Sequence, residues 1–85
     1  MSFFSRLDRH SNLVAEMADT LGVDLVDASV SGMAPETTLR SAVLNCMGCG
    51  QTADCAEWLA DHANGAGATP HYCRNKELLD RLSTL

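Results

Sequence analysis

The sequence predicts an all-α fold, a compact bundle of four or five short helices around a four-cysteine site. Apolar residues recur at spacings of three and four in several segments, which is the period of a helix, and no segment alternates apolar and polar residues as a half-exposed strand would. With 85 residues, the chain suits one helical domain over residues 1–85. Only 5% of the residues are aromatic, so the core is small, and small domains often add a metal or disulfides for that reason.

The first helix is predicted over residues 5–21, preceded by a loose N-terminus at residues 1–5. Its apolar face is formed by residues three and four positions apart: Leu7, His10, Leu13, Val14, Met17, Ala18 and Leu21. His10 lies on that face and is assigned to packing. Gly22 is expected to stop the helix. Residues 24–30 fit either one or two helical turns or an extended segment.

The third helix is predicted from the position of a proline. Pro35 suits the first turn of a helix, where its missing N–H is not needed. The apolar face then runs from Leu39 to Met47. Gly48 and Gly50 are expected to end this helix and to let the backbone bend sharply around a pair of cysteines.

Two further helices follow, each with a residue suited to capping its start. Thr52 is a suitable N-cap for a helix that continues to about Ala63, and Asn75 is one for a last helix over residues 76–82. The buried face of the fourth helix is expected to contain residues at spacings of three, four and seven: Cys55, Trp58, Leu59 and His62.

The four cysteines carry the chemistry of this sequence. Cys46, Cys49, Cys55 and Cys73 follow the spacing C-x2-C-x5-C-x17-C, and the predicted helices place all of them at helix ends. A helix N-terminus favours thiolates at Cys55 and Cys73. The helix C-terminus disfavours them at Cys46 and Cys49 unless a cation lies between the sulfurs. The pattern therefore predicts a metal centre with these four ligands rather than bare reactive cysteines.

Four thiolates hold either a zinc ion or an iron–sulfur cluster. Structural zinc sites usually combine two closely spaced pairs, whereas here 17 residues separate the last two cysteines. The C-x2-C-x5-C spacing resembles the end of the cluster loop in DNA glycosylases of the helix-hairpin-helix type, although this chain is too short and too acidic for such an enzyme. We expect a 4Fe-4S cluster for electron transfer or redox sensing.

Two other interpretations stay open at this point. One is a structural zinc-binding module whose helical surface binds a partner protein. The other is a thiol–disulfide switch that uses Cys46 and Cys49. No catalytic constellation is identifiable, so the sequence does not predict an enzyme.

Four side chains are expected in the layer around the cysteines: Trp58, His62, His71 and Tyr72. Trp58 is expected to belong mainly to the core and to shield a cluster from water. His62 follows it by four residues and faces the same side of the helix. His71 lies two residues before Cys73 and is the histidine best suited to replace a cysteine ligand.

The charge balance limits the partners. Six basic and eleven acidic residues give a formal net charge of -5, and the basic residues are scattered, so nucleic acid is not expected to bind. A loaded site would bring the charge to about -7, which favours a protein partner with a basic docking surface. With neither a signal peptide nor an apolar stretch long enough to span a membrane, the protein is expected to be cytoplasmic. The oligomeric state does not follow from the sequence.

The cysteine-motif region, residues 44–82, resembles a family of short, uncharacterised bacterial cysteine-rich proteins. The shared elements are Cys-x2-Cys, Cys-x2-Trp-Leu, and Pro-x-x-Cys-x-Asn before a Leu-rich helix. Here they are Cys46 and Cys49, then Cys55, Trp58 and Leu59, then Pro70, Cys73 and Asn75. The resemblance implies that the cysteines form one site, and it implies neither an activity nor a particular metal.

Overall fold

The computed structural model describes residues 3–84, and all regular structure within that range is α-helix. The five helices are α1 (Phe3–Thr20), α2 (Leu25–Val30), α3 (Glu36–Met47), α4 (Thr52–Asp61) and α5 (Lys76–Ser83). The predicted all-α class is therefore confirmed. α1 packs mainly against α3, with smaller contacts between α1 and α4 and between α2 and α3. None of the helices in residues 3–84 combines the length and apolarity needed to cross a membrane.

α1 begins earlier than predicted and ends as predicted. Its first residue is Phe3, so residues 3–5 are helical rather than loose, while residues 1–2 lie outside the described residues. Gly22 adopts a φ of 76°, a left-handed conformation that costs little without a Cβ atom. The next N–H, that of Val23, donates to the carbonyl oxygen of Ala18 at 2.8 Å and closes the C-terminal turn.

The segment that could be helical or extended is a short helix. Asp24 is the N-cap of α2, and its carboxylate accepts a hydrogen bond from the N–H of Asp27 at 3.1 Å. α3 begins directly after Pro35, as predicted. The prediction that Gly48 and Gly50 bend the chain through backbone conformations special to glycine is wrong. Gly48 has an ordinary φ of -83°, and Gly50 is not among the glycines with positive φ.

The starts of α4 and α5 differ from their predicted caps. Gln51 is the N-cap residue of α4 and Thr52 already lies inside the helix, so the predicted capping role of Thr52 is wrong. α4 ends at Asp61, two residues before Ala63. Asn75 is the N-cap residue of α5 as predicted, but its side chain makes no capping hydrogen bond, because that side chain is used elsewhere.

The hydrophobic core gathers where α1 ends. We call its buried members the core cluster: Met17, Ala18, Leu21, Val23, Ala28, Ala34, Leu79 and Leu82. Trp58, Leu59 and Cys55 of α4 pack against it while remaining partly exposed. On the outer face of α2, Val26 and Val30 are 75% and 83% exposed. The core therefore joins α1, α2 and α5, and α4 lies along its edge.

Candidate metal centre

All four cysteines line one small pocket. It has a volume of about 30 Å³, and we call it the cysteine pocket; its other lining residues are Leu13, Thr52, Tyr72, Arg74 and Asn75. None of the four cysteines forms a disulfide. In residues 3–84, no three His, Cys, Asp or Glu side chains are close enough together to hold one metal ion as they stand. The fold thus brings the four cysteines to one pocket, while their role as metal ligands stays a prediction.

Local backbone structure positions each cysteine. Cys46 lies in the last turn of α3, and the N–H of Cys49 donates to its carbonyl oxygen at 3.0 Å, so the chain turns immediately after the helix. Cys55 lies in the first turn of α4. Cys73 lies in the turn that precedes α5, where its N–H donates to the carbonyl oxygen of Pro70 at 3.1 Å. Three chain segments therefore contribute to the cysteine pocket.

Two of the cysteines share a local hydrogen-bond arrangement. The backbone N–H of Gln51 donates to the Sγ of Cys49 at 3.4 Å. The backbone N–H of Asn75 likewise forms a hydrogen bond to the thiol of Cys73. In both cases the donor is two residues after the cysteine. Such N–H groups stabilise negative charge on sulfur, so both positions are suited to thiolate ligands.

In the metal-free pocket, the raised pKa values of Cys46, Cys55 and Cys73 keep these three thiols protonated at neutral pH. Burial raises the pKa of Cys46 to about 11, and the neighbouring Cys55, Cys49 and Cys73 add to the effect. Burial also raises the pKa of Cys55, with Cys73 contributing next. The pKa of Cys73 is raised by burial as well, although the N–H of Asn75 opposes this. The thiolates expected at Cys55 and Cys73 are therefore not favoured without a cation, because burial and then the neighbouring cysteines raise both pKa values.

A cation in the cysteine pocket would reverse this balance. Each thiol must lose a proton to become a ligand, so metal binding releases protons, and its affinity depends on pH. Thiolates in the pocket repel one another when no metal is bound. A shared cation would attract each of them and offset that repulsion. Without a cation, the arrangement is therefore poorly suited to nucleophilic chemistry at Cys46, Cys55 and Cys73.

His10 is buried, as its assignment to packing predicts, and it also contacts Cys46 without lining the cysteine pocket itself. It is 8% exposed, and its Nδ1 lies 3.4 Å from the Sγ of Cys46. Desolvation lowers the pKa of His10, and Arg6 and Arg9 lower it further, so the ring is neutral near pH 7. The sequence contained a signal for this contact. A histidine on the apolar face of a helix needs a hydrogen-bond partner when it is buried, and a cysteine thiol can be that partner.

The structure separates the four side chains expected around the cysteines. Tyr72 lines the cysteine pocket; burial raises its pKa, with charges at Cys55 and then Asp54 adding to the shift. His71 contacts the ring of Tyr72 edge-on, with ring centroids 5.3 Å apart. It is not among the residues that line the pocket.

Trp58 and His62 form a pair of their own on α4. Their rings stack with centroids 4.1 Å apart, and the Nδ1 of His62 donates to the carbonyl oxygen of Trp58 at 2.7 Å. Neither residue lines the cysteine pocket. Trp58 packs against the core cluster, as its assignment to the core predicts.

Asn75 ties two cysteine-bearing segments together. The residue is 5% exposed, and its Nδ2 donates to the carbonyl oxygen of Ala42 in α3 at 2.8 Å. Its Oδ1 accepts a hydrogen bond from the Nδ2 of Asn45 at 3.3 Å. Because Cys46 follows Asn45 directly and Cys73 lies two residues before Asn75, these bonds fix one side of the cysteine pocket relative to the other.

A second set of polar contacts holds the loop before Cys73 on α5. The Nζ of Lys76 lies 2.8 Å from the carboxylate of Asp80 and donates to the carbonyl oxygen of Thr69 at 3.1 Å. The N–H of Thr69 donates to the same carboxylate at 2.9 Å. Burial alone would raise the pKa of Asp80, but the hydrogen bonds from Lys76 and the Thr69 N–H lower it overall.

Comparison with known proteins gives a family and no activity. No curated protein and no solved structure matches the chain. The model of one family, DUF6455, matches residues 1–85. This match confirms a resemblance to an uncharacterised family, whereas the bacterial origin and the shared motifs stay predictions. The chain belongs to DUF6455, a family of unknown function.

Proposed function

We propose that the protein is a small metal-binding protein in which Cys46, Cys49, Cys55 and Cys73 hold a 4Fe-4S cluster for electron transfer or redox sensing. The observation that carries this proposal is that all four cysteines line one pocket. The chain has only 85 residues, and three of its segments supply four potential cysteine ligands. Backbone N–H groups already directed at two of the sulfurs support thiolate ligation.

A cluster and a single ion require different spacings of the four thiols. In a tetrahedral zinc site the sulfurs lie about 3.8 Å apart, given Zn–S bonds of about 2.3 Å. No three candidate ligands in residues 3–84 approach closely enough to hold one ion. A cubane binds each cysteine through a different iron atom, so its ligands lie farther apart. Because four thiols line one pocket without forming a ready site for one ion, we favour the larger group.

The exposure of the cysteines suits electron transfer. All four are only partly buried, so a cluster held by them would lie close to the protein surface. Electron transfer needs such proximity to a partner, and solvent exposure is also one of the factors that set the potential of a cluster.

Anaerobic purification tests the proposal directly. We expect brown protein with broad visible absorption and iron and sulfide in equal amounts by elemental analysis, because a cubane contains four of each. Colourless protein with one equivalent of zinc would contradict the cluster and support the alternative below. Colourless, metal-free protein that remains folded by circular dichroism would contradict both.

A structural zinc module is the second candidate, and the size of the pocket favours it. A volume of about 30 Å³ is small, so a cubane would require the side chains to move outward, whereas a single ion needs less room. Elemental analysis of protein purified in air decides this point, since zinc tolerates oxygen and an exposed cluster often does not.

We also propose a protein partner with a basic docking surface. The formal net charge is -5, and thiolates at a loaded site add to it. The test uses a basic c-type cytochrome as an electron acceptor from the reduced protein. Opposite charges should make this electron transfer slow down as ionic strength rises, because salt screens the attraction. A rate that is independent of salt or increases with it would contradict the proposal.

We propose a cytoplasmic location for the protein. A reducing compartment keeps cysteines available for metal, and none of the four forms a disulfide. Fractionation of cells that express the protein at natural levels should recover it with cytoplasmic markers. Recovery with envelope or secreted markers would contradict the location.

A further inference from the structure

His10, on a helix that carries no cysteine, brings a ring nitrogen to the sulfur of Cys46, one of the residues that line the cysteine pocket. Its Nδ1 lies 3.4 Å from the Sγ of Cys46, although 36 residues separate the two in sequence. The ring is held in place, since the residue is only 8% exposed and α1 packs against α3, the helix that carries Cys46. The contact therefore depends on the tertiary structure and connects α1 with α3.

The chemistry of the sulfur decides the direction of this hydrogen bond. A thiolate, free or bound to a metal, has no proton and can only accept. Nδ1 must then carry the ring proton and donate it. Cys49 and Cys73 accept from backbone N–H groups, and at Cys46 the Nδ1 of His10 lies where a corresponding donor would lie.

We propose that His10 is a positioning residue of the cysteine centre, whose Nδ1–H donates to the Sγ of Cys46 and directs that sulfur into the cysteine pocket. This inference rests on the proposed function, because it concerns the same metal centre. Hydrogen bonds to the sulfurs are among the factors that set cluster potentials. Partners that hold metal ligands in place typically contribute about 10–100-fold to metal affinity.

Three substitutions separate this role from simple packing. His10→Asn keeps an N–H at the position of Nδ1, His10→Gln moves the N–H one carbon farther from the backbone, and His10→Leu keeps the bulk and removes the donor. Ser11→Ala, an exposed change at the next position of α1, is the matched control. Affinity is measured with Zn²⁺ by competition against a chromophoric chelator, and the midpoint potential is measured on the cluster reconstituted anaerobically.

We expect His10→Leu to weaken Zn²⁺ binding by about 10–100-fold and to shift the cluster potential to more negative values, since the donor stabilises the more negatively charged reduced state. His10→Asn should stay close to the unchanged protein in both measurements, and His10→Gln should resemble His10→Leu. If His10→Leu does not fold by circular dichroism, the comparison of the Asn and Gln variants decides, because both keep a polar amide.

Each contrary outcome has a distinct meaning. Equal affinity and potential in all three variants would overturn the inference and leave the proposed function standing. Loss of metal from His10→Asn and His10→Leu alike would also overturn it, and would make His10 itself a ligand. If the wild-type protein binds neither Zn²⁺ nor a cluster, the proposed function and this inference are both overturned.

Discussion

The core cluster and the cysteine pocket are built on different principles within one short chain. In the core cluster, apolar side chains from α1, α2 and α5 are almost fully buried. Around the cysteine pocket the thiols are only partly buried, and α4, which supplies Cys55, has no buried residue along its whole length. The core cluster is filled by packed apolar side chains. The cysteine pocket is a small cavity whose lining includes four thiols.

The difference shows where the folding free energy arises. Burying one Leu or Met side chain stabilises a fold by about 1.5–3 kcal/mol, so the core cluster can hold α1, α2 and α5 together by itself. Half-buried thiols gain much less, and their mutual repulsion opposes ionisation. We infer that the cysteine region of the metal-free protein is the less stable part, and that a bound metal would supply the missing stabilisation.

The largest expected effect is the loss of metal from a cysteine variant. Cys55→Ala removes the ligand that α4 supplies, and we expect it to abolish retention of metal during purification, whichever metal is bound. Elemental analysis measures this. Ala56→Ser, an exposed change at the next position of α4, is the control and should retain the metal. Full metal content in Cys55→Ala would show that Cys55 is not a ligand.

The next effect concerns the core cluster. Leu79 is 1% exposed, so Leu79→Ala leaves a cavity, and we expect the free energy of unfolding to fall by about 2–5 kcal/mol. Urea denaturation measures the change, and metal bound per folded molecule should not change. Val30→Ala, at an 83% exposed position, should change stability by no more than about 0.5 kcal/mol. A loss of bound metal per folded molecule in Leu79→Ala would contradict the division into two regions.

Asn75 is buried and lines the cysteine pocket, so its removal should affect both stability and metal binding. Asn75→Ala breaks the hydrogen bond to the buried carbonyl oxygen of Ala42, and we expect a loss of about 1–3 kcal/mol. Because the same side chain positions the turn that contains Cys73, metal affinity should fall as well. Urea denaturation and Zn²⁺ competition measure the two effects. Asn64→Ala, in an exposed loop, is the control; a loss of stability with unchanged affinity would confine Asn75 to a packing role.

The smallest expected effect is on the pH dependence of the metal-free protein. The pKa of Cys46 is raised from 9.0 to about 11 in the folded state. The folded chain therefore binds its proton more tightly than the unfolded chain, so this contribution to stability is present below pH 9.0 and is lost as pH rises through 11. The thiol is partly exposed, and solvent screening keeps the effect small.

Urea denaturation between neutral and alkaline pH measures this contribution. We expect the unchanged metal-free protein to lose more stability than Cys46→Ala over that range. Identical pH profiles would contradict a raised pKa at Cys46. Zn²⁺ affinity should change in the opposite direction and increase with pH below 9.0, because each ligand releases a proton on binding.

Local signals in the sequence predict the helices well where they depend on neighbouring residues. Gly22 ends α1 because the turn needs a left-handed conformation, and α3 begins directly after Pro35. Capping was less predictable. Thr52 has the right side chain but lies one position inside α4, and Asn75 has the right position while its amide bonds to α3 instead. A polar side chain near a helix end has several possible partners, and long-range packing selects among them.

The sequence by itself determined that the chain is helical, where its main breaks fall, and that four cysteines lie at or near helix ends. It could not determine which side chains meet between helices. The contact of His10 with Cys46 and the hydrogen bond from Asn75 to Ala42 were decided by the tertiary structure. The physical reason is that helix periodicity is a property of adjacent turns, whereas these contacts depend on how α1, α3 and the turn before α5 pack against one another.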